Sequence, residues 1–252
     1  LHTEYSFLDG VIRVGELIEK LKEKGMTSCA ITDHGNMYGL YDFWSSCKYN
    51  DIKPIIGCEL YLARRSRHDK DPKLDRKPYH HLVLAKNKTG YHNLVKLVSI
   101  AQVEGYYYKP RVDKELLKEY SEGLIMFTGC LGSEVPNLIS LGKFGEAVEA
   151  AKFYQDLVGK ENYFVEIQRS GIEDLNEVNP ELIKLAKIID APLVATCDTH
   201  YIDKGDEKVQ EVLWCVADGK KLNDPNRRQS YGGDLDLKSP EEIKELFKDI
   251  PE

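Results

Sequence analysis

The sequence predicts an α/β fold, a distorted seven-stranded βα barrel. Three observations predict it. Short apolar or β-branched runs alternate with longer amphipathic stretches along the 252 residues, the pattern of a sheet wound with helices. No linker-like stretch interrupts that alternation, and the length is ordinary for one such barrel. Side chains able to hold a metal follow directly after several of the strand runs, where a barrel gathers its strand ends on one face.

The strand runs are 29–32, 54–57, 82–85, 124–127, 163–167 and 192–196, and Leu1-His2 reads as the end of a seventh. Helical patterns lie between them. The first, 14–24, stops at Gly25 as a helix C-terminus should, and others run near 88–102, 144–159, 176–189 and 206–217. Two stretches depart from the pattern. Residues 64–77 form a charged insertion, read as a solvated loop in preference to a phosphate-binding one. Gly105-Tyr106-Tyr107-Tyr108-Lys109-Pro110-Arg111 is aromatic and basic, suited either to stacking bases and meeting phosphates or to packing on a barrel rim.

The 35 Lys and Arg against 42 Asp and Glu leave a net charge of −7, which disfavours gripping a phosphate backbone by charge alone. Any contact with nucleic acid is expected to be local or assisted. No apolar run reaches 18 residues and no charged-then-apolar leader is present, so a cytoplasmic chain with no membrane contact is expected. The 6 cysteines show no CxxC spacing, which argues against a zinc ribbon, a redox pair and a disulfide framework. The start at Leu1-His2-Thr3 and the stop at Ile250-Pro251-Glu252 suggest a piece of a longer protein.

The informative pattern is where the metal-capable residues fall. His2 ends the first run, His34 follows 29–33, Glu59 follows 55–58, Cys130 follows 125–129, and Asp198 and His200 follow 194–197. At one barrel mouth they would meet although they are far apart in sequence. A lone histidine at a strand end is usually structural, but imidazole, carboxylate and thiolate donors at successive strand ends are what divalent ions require.

These residues also carry a resemblance. Leu1-His2-Thr3-Glu4-Tyr5-Ser6-Phe7-Leu8-Asp9-Gly10, Ile31-Thr32-Asp33-His34-Gly35-Asn36-Met37-Tyr38-Gly39, Pro54-Ile55-Ile56-Gly57-Cys58-Glu59 and Asn87-Lys88-Thr89-Gly90-Tyr91 are four of the motifs. Tyr107-Tyr108-Lys109-Pro110-Arg111, Thr128-Gly129-Cys130-Leu131-Gly132 and Cys197-Asp198-Thr199-His200-Tyr201 are the others. Over essentially the whole chain the sequence resembles the PHP (polymerase and histidinol phosphatase) domain of bacterial DNA polymerase III alpha subunits. The resemblance implies a PHP-type barrel over residues 1–252, with 220–252 leading toward a polymerase domain.

It further implies two to three divalent ions, zinc or manganese. The first would be held by His2, Glu59 and Asp198 with a histidine two positions before His2. Glu59 would bridge to the second, held also by Cys130 and a histidine of the fourth strand. Asp9, His34 and His200 would hold the third. Asp198, His200 and Glu59 stand nearest the chemistry, and Lys109 and Arg111 are candidates to touch substrate, with an intramolecular salt bridge an equal reading for Arg111. For the fourth-strand histidine, counting back from Gly90-Tyr91 selects His80, whereas the His-Leu step selects His81. A slip of one residue flips a strand side chain to the other face, so only one can serve, and the count favours His80.

The function implied is metal-dependent phosphodiester hydrolysis, in polymerase-attached members the 3′→5′ removal of nucleotides from DNA. Its partners would be DNA, the rest of the alpha chain and other replisome subunits. A non-catalytic domain that docks a separate exonuclease is the second reading, and a free-standing histidinol-phosphate phosphatase the third.

Overall fold

The computed structural model describes residues 1–228 and 234–250. Seven strands form one curled sheet: β1 (Ser28–Ile31), β2 (Lys53–Leu62), β3 (Tyr79–Ala85), β4 (Arg111–Val112), β5 (Leu124–Phe127), β6 (Tyr163–Gln168) and β7 (Leu193–Thr196). Their order is β1-β2-β3-β5-β6-β7, with the two-residue β4 beside β2. The curl is joined at its mouth rather than along its length. Leu1-His2 is not a strand, but Thr32 N–H donates to Leu1 O at 2.9 Å and His2 N–H donates to Thr199 O at 2.8 Å. That short segment links the end of β1 to the chain after β7. The seventh strand is β4, which a two-residue run could not announce.

β3 pairs antiparallel with both β2 and β5, while the other pairings are parallel. Uniform βα winding is therefore corrected at one place. Hydrophobic alternation reports which face a residue occupies and carries no information on strand direction. The reversal brings the start of β3, and with it His80, to the mouth where the other strands end.

Helices cover the outer face. α1 (Val14–Glu23) buries Val14, Leu17, Ile18 and Leu21, the i, i+3, i+4, i+7 stripe of an amphipathic helix. The stripe meets Ile31 of β1 and Phe43 and Cys47 of α2 (Leu40–Tyr49). On the far side, Val83, Met126, Tyr163 and Val165 point outward from β3, β5 and β6. They pack against α3 (Lys88–Val103), α6 (Phe144–Val158) and α7 (Glu173–Ile189) through Leu94, Leu97, Ala151 and Leu185. Each of these buried leucines and valines contributes about 1.5–3 kcal/mol. Shorter helices are α4 (Lys114–Glu119), α5 (Glu134–Ser140), α8 (Glu207–Asp218) and α9 (Pro240–Leu246).

The charged insertion is organised by a residue assigned above to substrate. Arg111 is fully buried, and its guanidinium donates to the carbonyls of Gly105, Arg67 and Asp69 at 3.0, 2.8 and 2.9 Å. Arg65 pairs with Asp75 and Arg67 with Asp113 around it. In this arrangement its guanidinium faces loop carbonyls and no solvent, which favours a structural role over contact with phosphate. Its rigid fork satisfies the loop carbonyls of Arg67 and Asp69 and adds to the bond that Arg111 N–H makes to Gly105 O.

Beyond α8 the chain folds back: His200 N–H donates to Leu235 O, and Arg169 pairs with Asp249. Of the stretch 220–252 read as an extension, 229–233 and 251–252 lie outside the described residues.

Candidate metal centre

The loop after Leu1 is tied down before any metal is considered. The buried Asp33 carboxylate accepts from Thr3 N–H at 2.6 Å, from the Thr3 hydroxyl and from the Ser6 hydroxyl at 2.8 Å. Ser6 Oγ in turn accepts from His34 N–H and lies 3.2 Å from His2 Nδ1. This fixes the His2 ring with Nε2 facing inward, 3.0 Å from Glu59 Oε2 and 3.2 Å from Asp198 Oδ1. Asp33 thus serves as the orienting partner of the residues around it.

Glu59 stands at the middle. His34 bridges to it from the end of β1 and Tyr61 follows two residues on. His80 Nδ1 is 2.5 Å from Glu59 Oε1, and Cys130 Sγ is 3.6 Å from both. On the other flank His34 Nε2 is 3.2 Å and His200 Nε2 3.8 Å from Asp9 Oδ2. His200 Nδ1–H donates to Asp198 O at 2.7 Å, which leaves Nε2 free to face the cluster. The left-handed backbone at Asp198, φ 50°, turns that carboxylate and the His200 ring toward the same centre.

The structure therefore brings His2, Asp9, His34, Glu59, His80, Cys130, Asp198 and His200 to one mouth. His2, Glu59 and Asp198 form one set of mutually close donors, His34, Glu59 and His80 a second, and His2, His34 and His200 a third. His34 therefore faces two sets. His81 points the opposite way: it is buried against Tyr154, ring centroids 4.6 Å apart. Burial, then the Lys114 charge, push its pKa down to about 3. Lys109 lies outside the cluster, its ammonium 5.1 Å over the Tyr61 ring. His68 and His92 are exposed.

Electrostatics at the centre are those of ions waiting to be replaced. Burial lowers the His2 pKa, but hydrogen bonds with Asp198 and Glu59 outweigh it and raise the group to about 9. His34 is held down at about 4, by burial first and the neighbouring His2 second. Burial opposes ionisation of Asp198, yet His200 and His2 beside it bring its pKa to about 2. Glu59 stays well below the usual range because His80 and His34 outweigh its burial.

A divalent set fits these residues on two counts. Buried His34 Nδ1 has no hydrogen-bond partner among the described residues and lies 3.6 Å from Glu59 Oε2. The 3.0–3.8 Å donor separations around His2 and Asp9 bracket the roughly 3.3 Å between ligands of a tetrahedral ion with 2.0–2.1 Å bonds.

The sequence reading missed the groups that hold these side chains. Trp214 Nε1–H donates to Asp9 Oδ1 at 2.7 Å and Gln210 donates to the same oxygen at 3.3 Å. The two are four residues apart on α8, so they share a helix face, which was the available signal. Arg228 lines the cavity with Asp198 and His200. Nothing in its local sequence separates it from a surface arginine. Glu166, buried in β6, gave no signal beyond a carboxylate within an apolar run.

A family model described as "PHP domain" matches residues 1–170. The chain belongs to the PHP domain family. Curated relatives include the DNA polymerase III subunit alpha of Treponema pallidum, 44% identical over 253 residues, and of Borreliella burgdorferi, 40% identical over 253 residues. Each alignment covers 100% of this chain and 22% of the relative, so the chain spans about a fifth of their length. Among solved structures, a metal-dependent phosphoesterase from Bifidobacterium adolescentis matches with TM-score 0.51 at 12% identity, covering 98% of this chain and 93% of that one. An amidohydrolase from Chromobacterium violaceum matches with TM-score 0.50 at 12% identity, covering 79% and 85%. At such identity these neighbours speak for the fold. No helix among the described residues is long and apolar enough to cross a membrane.

Proposed function

We propose that this PHP domain is a metal-dependent phosphodiesterase that removes nucleotides from the 3′ end of DNA, as part of a replicative polymerase alpha chain in the cytoplasm. The observation that carries the reading is the convergence of four imidazoles, two further carboxylates and one thiol around Glu59. Zinc or manganese ions held there would supply a water activated for attack and offset the charge of the phosphate.

In this reading Glu59 would help to hold two ions, with one oxygen on the His2 side and the other on the His80 side. Asp198 and His200 hold the wall facing the substrate. Trp214 and Gln210 keep Asp9 from turning away, as outer hydrogen-bond partners of metal ligands commonly do. Lys109 at the rim meets phosphate. The acidic net charge leaves most of the DNA affinity to the remainder of the polymerase chain.

The test uses the full-length protein carrying this chain, free of any separate exonuclease subunit. It should shorten single-stranded or mismatched DNA from the 3′ end with added manganese or zinc. Asp198→Asn should abolish this while the circular dichroism spectrum stays unchanged. Intact 3′ ends with the metal-loaded protein, or undiminished cleavage by Asp198→Asn, would overturn the catalytic reading in favour of a docking role.

A further inference from the structure

Beside the metal centre lies a groove of about 460 Å³, within the roughly 300–1,000 Å³ of small-ligand pockets. One wall carries Phe7 and Tyr38, ring centroids 6.1 Å apart, and the other carries Tyr106 and Tyr108. These four rings are 55–64% exposed, whereas Phe43, Tyr154 and Tyr163 are buried; Tyr41, Trp44 and Tyr49 are exposed elsewhere on the surface, but among the described residues only these four gather around one groove beside the metal-capable side chains. Asp9 and His34 line the same groove, so it opens onto the centre.

Two cations border it beside the Asp9 carboxylate, and one of them, Arg228, also pairs with Asp218 at 3.1 Å. Lys109 and Arg228 both line it, and Arg228 also lines the cavity that holds His80, Cys130 and Asp198. One guanidinium therefore borders both spaces. The aromatic loops are built rather than slack. Tyr108 has φ 59° in a turn closed by Tyr107 N–H donating to Lys109 O at 3.1 Å, and Leu8, between Phe7 and Asp9, has φ 61°. Bulky residues adopt that conformation only where the surroundings enforce it.

Phe7, Tyr38, Tyr106 and Tyr108 set four exposed rings on the two walls of one groove, next to Asp9 and His34. A ligand with flat apolar faces and regularly spaced negative charges would cover the rings and meet Lys109 and Arg228, and unpaired nucleotides have that chemistry. We infer that Phe7, Tyr38, Tyr106 and Tyr108 form a stacking groove for the unpaired bases next to the scissile phosphate, which makes the centre select single-stranded ends over duplex ones. Bases within a duplex are stacked on each other and must first be pulled apart to use such a groove. The inference deepens the proposed hydrolysis and rests on it for the position of the scissile phosphate.

The test separates binding from turnover. A single-stranded oligonucleotide carrying 5-iodouracil near its 3′ end is photocrosslinked to the full-length protein with metal chelated, and the linked peptides are mapped. Links at Tyr38, Tyr106 or Tyr108 are expected. In kinetics, Tyr38→Ala and the pair Tyr106→Ala with Tyr108→Ala should raise KM for single-stranded DNA roughly tenfold or more, since one stacked base is worth about that factor. Their kcat, and turnover of the small ester methyl p-nitrophenyl phosphate, should hold. Tyr108→Phe should behave as wild type, and the preference for single strands over blunt duplex should fall in the alanine variants. Hydrolysis with links only outside the groove and unchanged KM overturns the inference and leaves the phosphodiesterase reading standing. Links to the rings without any hydrolysis overturn the phosphodiesterase reading and, with it, the selection of scissile ends, and leave only a groove that stacks unpaired bases.

Discussion

Nδ1 of His80 lies 2.5 Å from Oε1 of Glu59, at the start of a strand that runs against both of its neighbours. In the register His80 pairs with Tyr61 and His81 with Leu60, so the two histidines take opposite faces. His80→Ala should therefore cost the protein one ion while Cys130 and Glu59 stay in place. His81→Leu should keep full metal content. The buried His81 Nε2 has no hydrogen-bond partner among the described residues, so an apolar side chain there should be neutral or stabilising by about 1 kcal/mol. Elemental analysis and urea denaturation of both variants check this. Metal loss in His81→Leu would show that the wrong face was chosen.

Glu59 is the carboxylate shared by two donor sets, with one oxygen toward His2 and the other toward His80. An amide is an uncharged, weak bridge between two cations, which then repel each other at short range. Glu59→Gln should release two ions per chain, measured against one for His80→Ala. Loss of one ion in both would contradict the bridging role. His34 presents Nε2 to Asp9 and Nδ1 to Glu59, so His34→Ala should weaken the Asp9 side most and the Glu59 side detectably.

Much of this was legible in the sequence because it is local. Helices α1, α3, α6 and α7 follow from apolar periodicity, and β5, β6 and β7 from apolar runs bounded by turn residues. The placement of His34, Glu59, Cys130 and Asp198 just beyond strand runs was enough to suggest a shared mouth. Strand direction was not legible, because β3 has the same alternation whichever way it runs. Nor was the role of Arg111. Its neighbours Tyr108 and Lys109 are exposed, and only the return of residues 64–77 over it makes that one side chain internal. The supports of Asp9 come from α8, some 200 residues away, a relation that no local pattern encodes.

Arg111→Lys should destabilise the domain by about 2–4 kcal/mol, since an ammonium cannot serve carbonyls spread over Gly105, Arg67 and Asp69 and a buried charge would lose partners. The urea midpoint should fall accordingly. KM for DNA, measured where the variant is folded, should not move. A large KM change at unaltered stability would return Arg111 to the substrate.

Glu166 provides a pH dependence that can be read on the metal-free protein. Its carboxyl is buried in β6, with Oε1 accepting from the Thr196 hydroxyl at 2.5 Å and from Gln168 at 2.9 Å. Oε2 has no partner among the described residues. Burial raises its pKa, the two hydrogen bonds only partly offset this, and the group settles at about 7. The unfolded chain releases the same proton near 4.5. Between those values the folded state binds more protons, so stability is full below about 4.5 and is lost as pH rises through 7. The span corresponds to roughly 3 kcal/mol at about 1.36 kcal/mol per pH unit. Glu166→Gln keeps an oxygen for Thr196 and Gln168 and has no proton to lose. Urea denaturation at pH 5, 6, 7 and 8 should show the variant gaining on wild type across that window, with the two converging at low pH. Adding manganese should shrink the gap, because cations at the neighbouring Asp198 and Glu59 would favour the ionised carboxylate. A stability difference that stays constant from pH 5 to 8 would mean that Glu166 is ionised throughout.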